Sequence, residues 1–451
     1  MNNVRRNSKP PSRKTMVFRA VVMATPAVVA LLAFFGYSPL CDGMEDRYRA
    51  MLYMAVDNLV NEMPYKITDA LGYGAFFDYI GFMQRRYQPD PSAPPGSAGY
   101  GGMSVIRTGL AGRTVIIYRP EGLAKGELLP ALIYLHGGGW ALKNPDWYDS
   151  IVFPIANCTR KITISVDYRH SPEHPFPAPV NDCLDVARHV LRHGKTLGVD
   201  VHRVGIAGDG TGGNLAAAVA LRLTSERSSS STPPLKYQAL LWPALQAVDF
   251  QTPSYTELGD SVSVLGRRRI AGYWALYLGL EPWKIYDYIE VMVQNRHVTP
   301  QLLRHSKYTE YIDAHKLPVK FRKPRKVPKS IESKDDVTTP KDSDQKLSPK
   351  ELQLFNRIKH HVTNPLLSPL MAPELGGLPS ALILVSEFDV LRDDGLLYAH
   401  RLREAGVQVQ VYIGRGFHGD FHTFSLFPTF LQSRTGRMSM QSLCSYMERR
   451  V

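Results

Sequence analysis

The sequence predicts an α/β fold with a mostly parallel central sheet flanked by helices. From residue 104 onward, short apolar runs alternate with amphipathic stretches, the order in which a parallel sheet receives its crossover helices. Two of those runs end in glycine-rich turns, at 137–139 and 208–213. Composition agrees: of 451 residues, 44% are hydrophobic, 10% aromatic and 21% charged, enough to bury a large core and incompatible with a collagen-like or wholly disordered chain.

Taken in order, residues 1–19 carry Arg5, Arg6, Lys9, Arg13, Lys14 and Arg19 and no acid, and lead into an uncharged apolar stretch at 20–37. A membrane-spanning helix needs about 20 apolar residues, whereas the apolar core of a cleaved secretory signal runs to about 7–15. The stretch therefore reads as a signal-anchor transmembrane helix in preference to a signal peptide cleaved near Cys41. Positive charge before it, with Asp42, Glu45 and Asp46 after it, puts the N-terminus in the cytosol and the remainder in a lumen. Residues 38–103 form an N-terminal cap segment: a helical pattern through Met51, Met54, Ala55, Val60 and Met63, then a Pro/Gly/Ser loop at 91–102.

The first part of the core, 104–245, holds strand candidates at 114–118, 132–135, 163–166, 204–207 and 239–242, with helical patterns at 180–191 and 214–223. Residues 246–364 interrupt the alternation and are read as a largely helical cap insertion. The second part of the core, 365–451, supplies strands at 381–385 and 407–413 and a helix at 392–405. Inside the cap, 316–350 is rich in Lys, Pro, Ser and Asp, the composition of a disordered basic loop. Cap aromatics such as Trp274, Tyr277 and Trp283 either pack into a core or line a lipid pocket.

This layout accounts for the charge. Of the formal +13, residues 1–37 contribute +6, and 316–350, with 11 basic and 5 acidic side chains, another +6. The body is left nearly neutral, with no general electrostatic reason to bind nucleic acid. Cys41, Cys158, Cys183 and Cys444 lack metal-ligand spacing; in an oxidising lumen they allow three two-bridge pairings, and otherwise they are free or buried thiols. A lumenal chain also makes Asn157, in Asn157-Cys158-Thr159, a glycosylation acceptor.

The chemistry is read from four segments. His136-Gly137-Gly138-Gly139-Trp140 follows the strand candidate at 132–135, where glycines let backbone N–H groups converge on a cavity as an oxyanion hole requires, or simply make a turn. Farther on, 203–207 runs into Gly208-Asp209-Gly210-Thr211-Gly212-Gly213 and then a helix-forming stretch from Asn214. That is the strand, tight turn and helix of a nucleophile elbow, G-x-S-x-G, with Gly210 at the serine position. Asp389 follows one strand and His418 the next, which gives the order nucleophile, acid, base. Singly, Asp389 reads as a helix cap beside Asp393 and Asp394, and His418 as a loop residue; together and in this order they read as a triad in which Asp389 orients the imidazole of His418.

The set 136–140, 166–178, 208–213, 389–395 and 417–419 resembles the arylacetamide deacetylase-like branch of the hormone-sensitive lipase family. The resemblance covers the chain from the anchor to the C-terminal helix. It implies an α/β-hydrolase fold with a lipid-facing cap and a single-pass type II anchor in the endoplasmic reticulum membrane with the catalytic domain lumenal. It also implies hydrolysis of carboxylic esters or acetylated lipids without cofactor or metal. Position by position, it implies an oxyanion hole of Gly137, Gly138 and the Thr211 backbone within the motif that includes His136 and Gly139, and a triad completed by Asp389 and His418.

Gly210 departs from that pattern, as does the extra loop at 316–350. Glycine has no atom with which to form an acyl-enzyme. Thr211 is a neighbouring hydroxyl, but an elbow aims only its central residue at the base. Water activated by His418 is the remaining route, at the rate that an oxyanion hole and binding support. Reduced ester hydrolysis and a non-catalytic role, binding lipid or a partner protein in the cleft, are thus both expected outcomes. The same glycine completes G-x-G-x-x-G at 208–213, a dinucleotide fingerprint. Against it stand Asp209, which would face a pyrophosphate, and a Ser/Pro-rich segment at 227–234 where an acid-ended strand should follow.

Overall fold

A computed structural model describes Leu40 and residues 43–57, 102–124, 126–227, 231–259, 265–322, 347–423 and 429–450. The expected anchor at 20–37, Cys41, most of 58–103 and the greater part of 316–350 lie outside these residues. Among the described residues no helix is long and apolar enough to cross a membrane.

Eight strands form one sheet: β1 (Met103–Leu110), β2 (Arg113–Pro120), β3 (Leu129–Leu135), β4 (Ile162–Val166), β5 (Val199–Asp209), β6 (Tyr237–Leu241), β7 (Ser380–Phe388) and β8 (Val409–Phe417), in the order β1-β2-β4-β3-β5-β6-β7-β8. β2 pairs antiparallel with both β1 and β4, and every other pairing is parallel. Strands β4 and β6 are buried at every residue, as continuous apolar runs are when helices cover both faces. β1 was not among the expected strands. It is an edge strand with irregular burial, joined to β2 by Ala111 and Gly112 at φ +50° and +76°, the left-handed pair of a two-residue hairpin turn.

Helices α1 (Arg47–Asp57), α2 (Asp149–Thr159), α3 (Ala178–His193) and α4 (Thr211–Ser225) precede the cap; α5 (Pro253–Leu258), α6 (Arg267–Tyr277), α7 (Ile285–Val293), α8 (Pro300–Arg304), α9 (Lys307–Tyr311) and α10 (Pro349–Val362) lie between β6 and β7; α11 (Arg392–Glu404) and α12 (Arg434–Glu448) complete the chain. Apolar faces of α3, α4 and α11 belong to the larger core cluster, while α2 and α12 pack on the opposite face of the sheet. The described part of 246–364 is therefore largely helical and enters between β6 and β7. α10 starts with a capping box in which Ser348 and Glu351 satisfy each other's backbone N–H groups.

Arg392 ties the cap to the core. Its buried guanidinium contacts Glu257 of α5 at 3.1 Å and Asp393 at 2.9 Å, and the Ser254 N–H donates to Asp393 at 2.7 Å. One disulfide, Cys158–Cys444, joins α2 to α12, whereas Cys183 is a buried free thiol. None of the three two-bridge pairings is realised, because each engages Cys183 and α3 turns that side chain into the apolar core.

Candidate active site

The site sits where β5, β7 and β8 end. Residue pair Phe388 and Phe417 is in register on β7 and β8, so the chain leaves both strands at the same level and delivers Asp389 and His418 side by side. His418 Nδ1 lies 2.9 Å from Asp389 Oδ2; the other carboxylate oxygen accepts the Leu391 N–H at 2.9 Å. Asp389 is fully buried and the His418 side chain is 16% exposed, so the ring reaches the surface of the cleft while its orienting partner stays dry. The neighbouring acids do other work: Asp393 holds Arg392, and Asp394 accepts from the Leu245 N–H and the Gln246 amide. Burial pushes Asp394 up to about 8.

β5 ends at Asp209, Gly210 turns with φ +53° and ψ −115°, and α4 starts at Thr211. The turn is pinned by the Gly210 N–H donating to the Leu241 carbonyl at 2.8 Å. A Cβ on Gly210 would lie 3.7 Å from His418 Nε2. The apex thus faces the unengaged nitrogen of the ring across ordinary van der Waals distance. Gly208 and Gly212 let α4 approach β3: a Cβ on Gly212 would come within 2.0 Å of the Leu135 carbonyl oxygen, and one on Gly208 within 2.3 Å of the Gly212 carbonyl oxygen. Close backbone packing therefore explains the G-x-G-x-x-G spacing. The Leu135 and His136 carbonyls packed on Gly212, and the Asp209 carboxylate buried beside the turn, set acceptors and a negative charge where a pyrophosphate would lie, which disfavours a dinucleotide there.

The glycine turn after β3 divides its N–H groups unexpectedly. Gly137, expected in the oxyanion hole, donates instead to the Tyr148 hydroxyl and to Asp209 Oδ1, both at 3.1 Å. Its amide is spent on the frame because Asp209 needs donors. Tyr134 and Tyr148 also donate to that carboxylate at 2.9 and 2.8 Å, and His422 Nε2 lies 3.1 Å away. Burial opposes charge on Asp209, but these donors and the nearby Lys143 outweigh it and hold the carboxyl at about 2. Among the described residues no group accepts from the Gly138 N–H, and Thr211 presents its own N–H at a helix start, where no intrahelical partner exists. The Gly139 N–H is engaged: it donates to Thr211 Oγ1 at 3.0 Å, and the Trp140 N–H donates to the same oxygen at 3.3 Å. The Thr211 hydroxyl points at the glycine turn, and no hydrogen bond joins it to His418. Sequence reasoning missed both the Asp209 network and this hydroxyl; the acid and the β-branched residue flanking the elbow apex were the signals available.

His136 is a framework residue. Its Nδ1 meets the Gly137 carbonyl at 2.8 Å, its ring stacks on Tyr168 at 4.4 Å, and burial lowers its pKa to about 4. Among the described residues, His136, Asp167 and His170 are the group whose ligand atoms converge, within 4.8 Å of one another, as a metal site requires. Arg107 and Arg113 share the surroundings of Asp167 and compete with a cation for its charge.

The cap closes over the turn. Tyr273 of α6 stands directly against Gly139, where a Cβ would meet its ring at 2.2 Å, and Trp140 stacks on Tyr277 at 4.2 Å and meets Trp274 at 4.4 Å. Trp274 and Tyr277 are thus core aromatics, while Trp283 is 76% exposed. Tyr53 of α1 packs on Phe417, one residue before His418, at 5.0 Å. A surface cavity of about 750 Å³ lined by Asp185, Arg188, His189 and Arg222 contains none of these residues. Asn157 is exposed on α2, between buried Ala156 and the bridged Cys158.

Comparison with known proteins agrees with this geometry. A family model of the alpha/beta hydrolase fold matches residues 132–303 and 321–425. Rat (Rattus norvegicus) neutral cholesterol ester hydrolase 1 is 30% identical over 91% of this chain and 95% of its own length. Rabbit (Oryctolagus cuniculus) arylacetamide deacetylase is 30% identical over 87% of this chain and 92% of its own. A thermostable esterase from Pseudomonas putida shares the fold, with a TM-score of 0.57 at 22% identity, covering 91% of this chain and 99% of that one. Fold, strand-end constellation and these relatives together place the chain in the α/β-hydrolase family, in the arylacetamide deacetylase-like branch of the hormone-sensitive lipase family.

Proposed function

We propose that this protein is a carboxylic-ester hydrolase of hydrophobic substrates in which covalent catalysis is absent and turnover is reduced to what a histidine–aspartate pair, backbone donors and a bound water supply. The observation that carries the reading is position 210: its Cα direction faces His418 Nε2 at contact distance, yet no side chain is there to attack. His418, oriented by Asp389, then acts as general base on water in the space a serine hydroxyl would fill, and as general acid to the leaving alcohol. Gly138 and Thr211 N–H groups stabilise the oxyanion.

A second reading, a non-catalytic relative that holds a lipid or a partner protein in the cleft, is favoured by the engagement of the Gly139 amide with Thr211. Ester turnover by the natural protein beside Gly210→Ser separates them. Gly210→Ser is expected to gain orders of magnitude and to take a fluorophosphonate label that adding His418→Ala abolishes. Absence of both turnover and label in every serine-bearing variant at position 210 would sink the ester-hydrolase reading.

The proposal extends to location: a single-pass type II protein of the endoplasmic reticulum membrane, anchored by 20–37, with the domain lumenal and Asn157 glycosylated. Support comes from the basic flank before the stretch, from the exposed asparagine, and from the Cys158–Cys444 bridge, which persists in oxidising compartments. Protease protection of the domain in sealed microsomes, with a mobility shift on deglycosylation, tests it; cleavage of the domain without detergent would reverse the orientation.

A further inference from the structure

Two backbone N–H groups, from Gly139 and Trp140, converge on one oxygen, Thr211 Oγ1, at 3.0 and 3.3 Å. Convergent backbone donors on a single oxygen are what an oxyanion hole offers to a reacting carbonyl. Here the oxygen is the protein's own, and it belongs to the residue that follows the elbow apex. Thr211 is 3% exposed and opens α4, where its β-branched side chain has few rotamers to escape into. Around it, Gly212 is already packed against the Leu135 and His136 carbonyls, and Tyr273 covers Gly139 from above.

We propose that the Thr211 hydroxyl occupies part of the oxyanion-binding pocket, so that an acyl substrate has to displace it before the Gly139 amide can polarise the carbonyl. The inference rests on the ester-hydrolase reading above and deepens it, because it makes the site deficient twice, in nucleophile and in one donor. A neutral hydroxyl competes well with a ground-state ester carbonyl, which is a neutral acceptor too. It competes poorly with a developing oxyanion, whose hydrogen bonds are charge-assisted and roughly twice as strong. The obstruction therefore acts on substrate positioning as well as on the transition state, and both KM and kcat should respond to its removal.

The test uses the full chain carrying Gly210→Ser, alone and combined with Thr211→Ala, Thr211→Val or Thr211→Ser, assayed on short-chain nitrophenyl esters. Removing one oxyanion donor costs an enzyme about 10²–10³ in kcat, so the Ala and Val combinations are expected to exceed Gly210→Ser alone by about a hundredfold. Thr211→Val keeps the shape and Thr211→Ser keeps the hydroxyl, so the serine combination should stay slow. A second readout needs no catalysis: in glycine-labelled protein the Gly139 amide resonance should move upfield in Thr211→Val, as its hydrogen bond is lost. Should Gly210→Ser alone match its Thr211→Val combination, the hydroxyl obstructs nothing and the inference falls while the ester-hydrolase reading stands. Should no serine-bearing variant turn over ester, that reading falls and the inference falls with it, whereas an unmoved Gly139 resonance in Thr211→Val overturns the inference alone and leaves the ester-hydrolase reading standing.

Discussion

In the proposed function, the chemistry turns on Gly210 and the side chain it lacks. Its φ of +53° with ψ of −115° lies in a region that L-residues enter only under strain, and the surrounding frame holds it there through the Leu241 carbonyl and the start of α4. Glycine rests in that conformation freely; serine does not. Placing a hydroxyl there should accordingly lower stability by about 1–3 kcal/mol and, on the proposed function, raise turnover, a trade read from urea unfolding of natural protein and Gly210→Ser at one pH. Equal midpoints would mean that the apex relaxes once a side chain is present. The adjacent residues were only half legible in the sequence. Asp389 and His418 could be picked out because their order and strand context are specific, and Gly210 because it broke a motif. Gly137 was misassigned because a glycine's amide carries no sign of its partner: the Asp209 carboxylate that takes it lies 72 positions along the chain.

Elements were legible where their apolar runs were continuous. β3 to β8 all overlap the strands expected from hydrophobic runs: β3, β4, β6 and β7 are buried almost throughout, and in β5 and β8 an apolar run stands out beside polar residues such as His202 and Gln410. β1 escaped because an antiparallel edge strand mixes Arg107 and Thr108 with apolar residues and gains its stability from pairing with β2. The cap was expected to be helical from its place in the alternation, and nothing in its sequence told what the loops do. His297, between α7 and α8, is fully buried with Nε2 2.8 Å from the Ala247 carbonyl, and burial lowers its pKa from 6.5 to about 4. A folded pKa below the unfolded one means that the residue's contribution is whole above about pH 6.5 and is lost as pH falls toward 4. Relative to His297→Gln, which cannot take a proton, the natural protein should therefore lose stability between pH 7 and pH 5. Urea midpoints at the two pH values give the comparison; a difference independent of pH would mean that the ring takes up its proton as readily in the folded cap as in the unfolded chain.

At the scale of the whole molecule, the sheet fixes the site and the disulfide fixes the sheet's outer helices. Cys158 and Cys444 stand 286 positions apart and bring α2 and α12 together on one face. Closing so long a loop restricts the unfolded chain, and replacing both cysteines by serine should cost about 3–5 kcal/mol, measured by denaturant unfolding against the oxidised natural protein. A loss below about 1 kcal/mol would show that the unfolded chain keeps these helices together without the bridge. Sequence arithmetic could offer pairings but not choose one, because nothing local to Cys158 announces a partner on the last helix. The position of that partner sets a timetable for biosynthesis. Cys444 follows β8 in the chain, so the bridge can close only after the strand that delivers His418 has been synthesised. A nascent chain that stops before Cys444 keeps an unbridged thiol at Cys158, and in this way the covalent tie marks the chains in which the parts of the cleft have all been made.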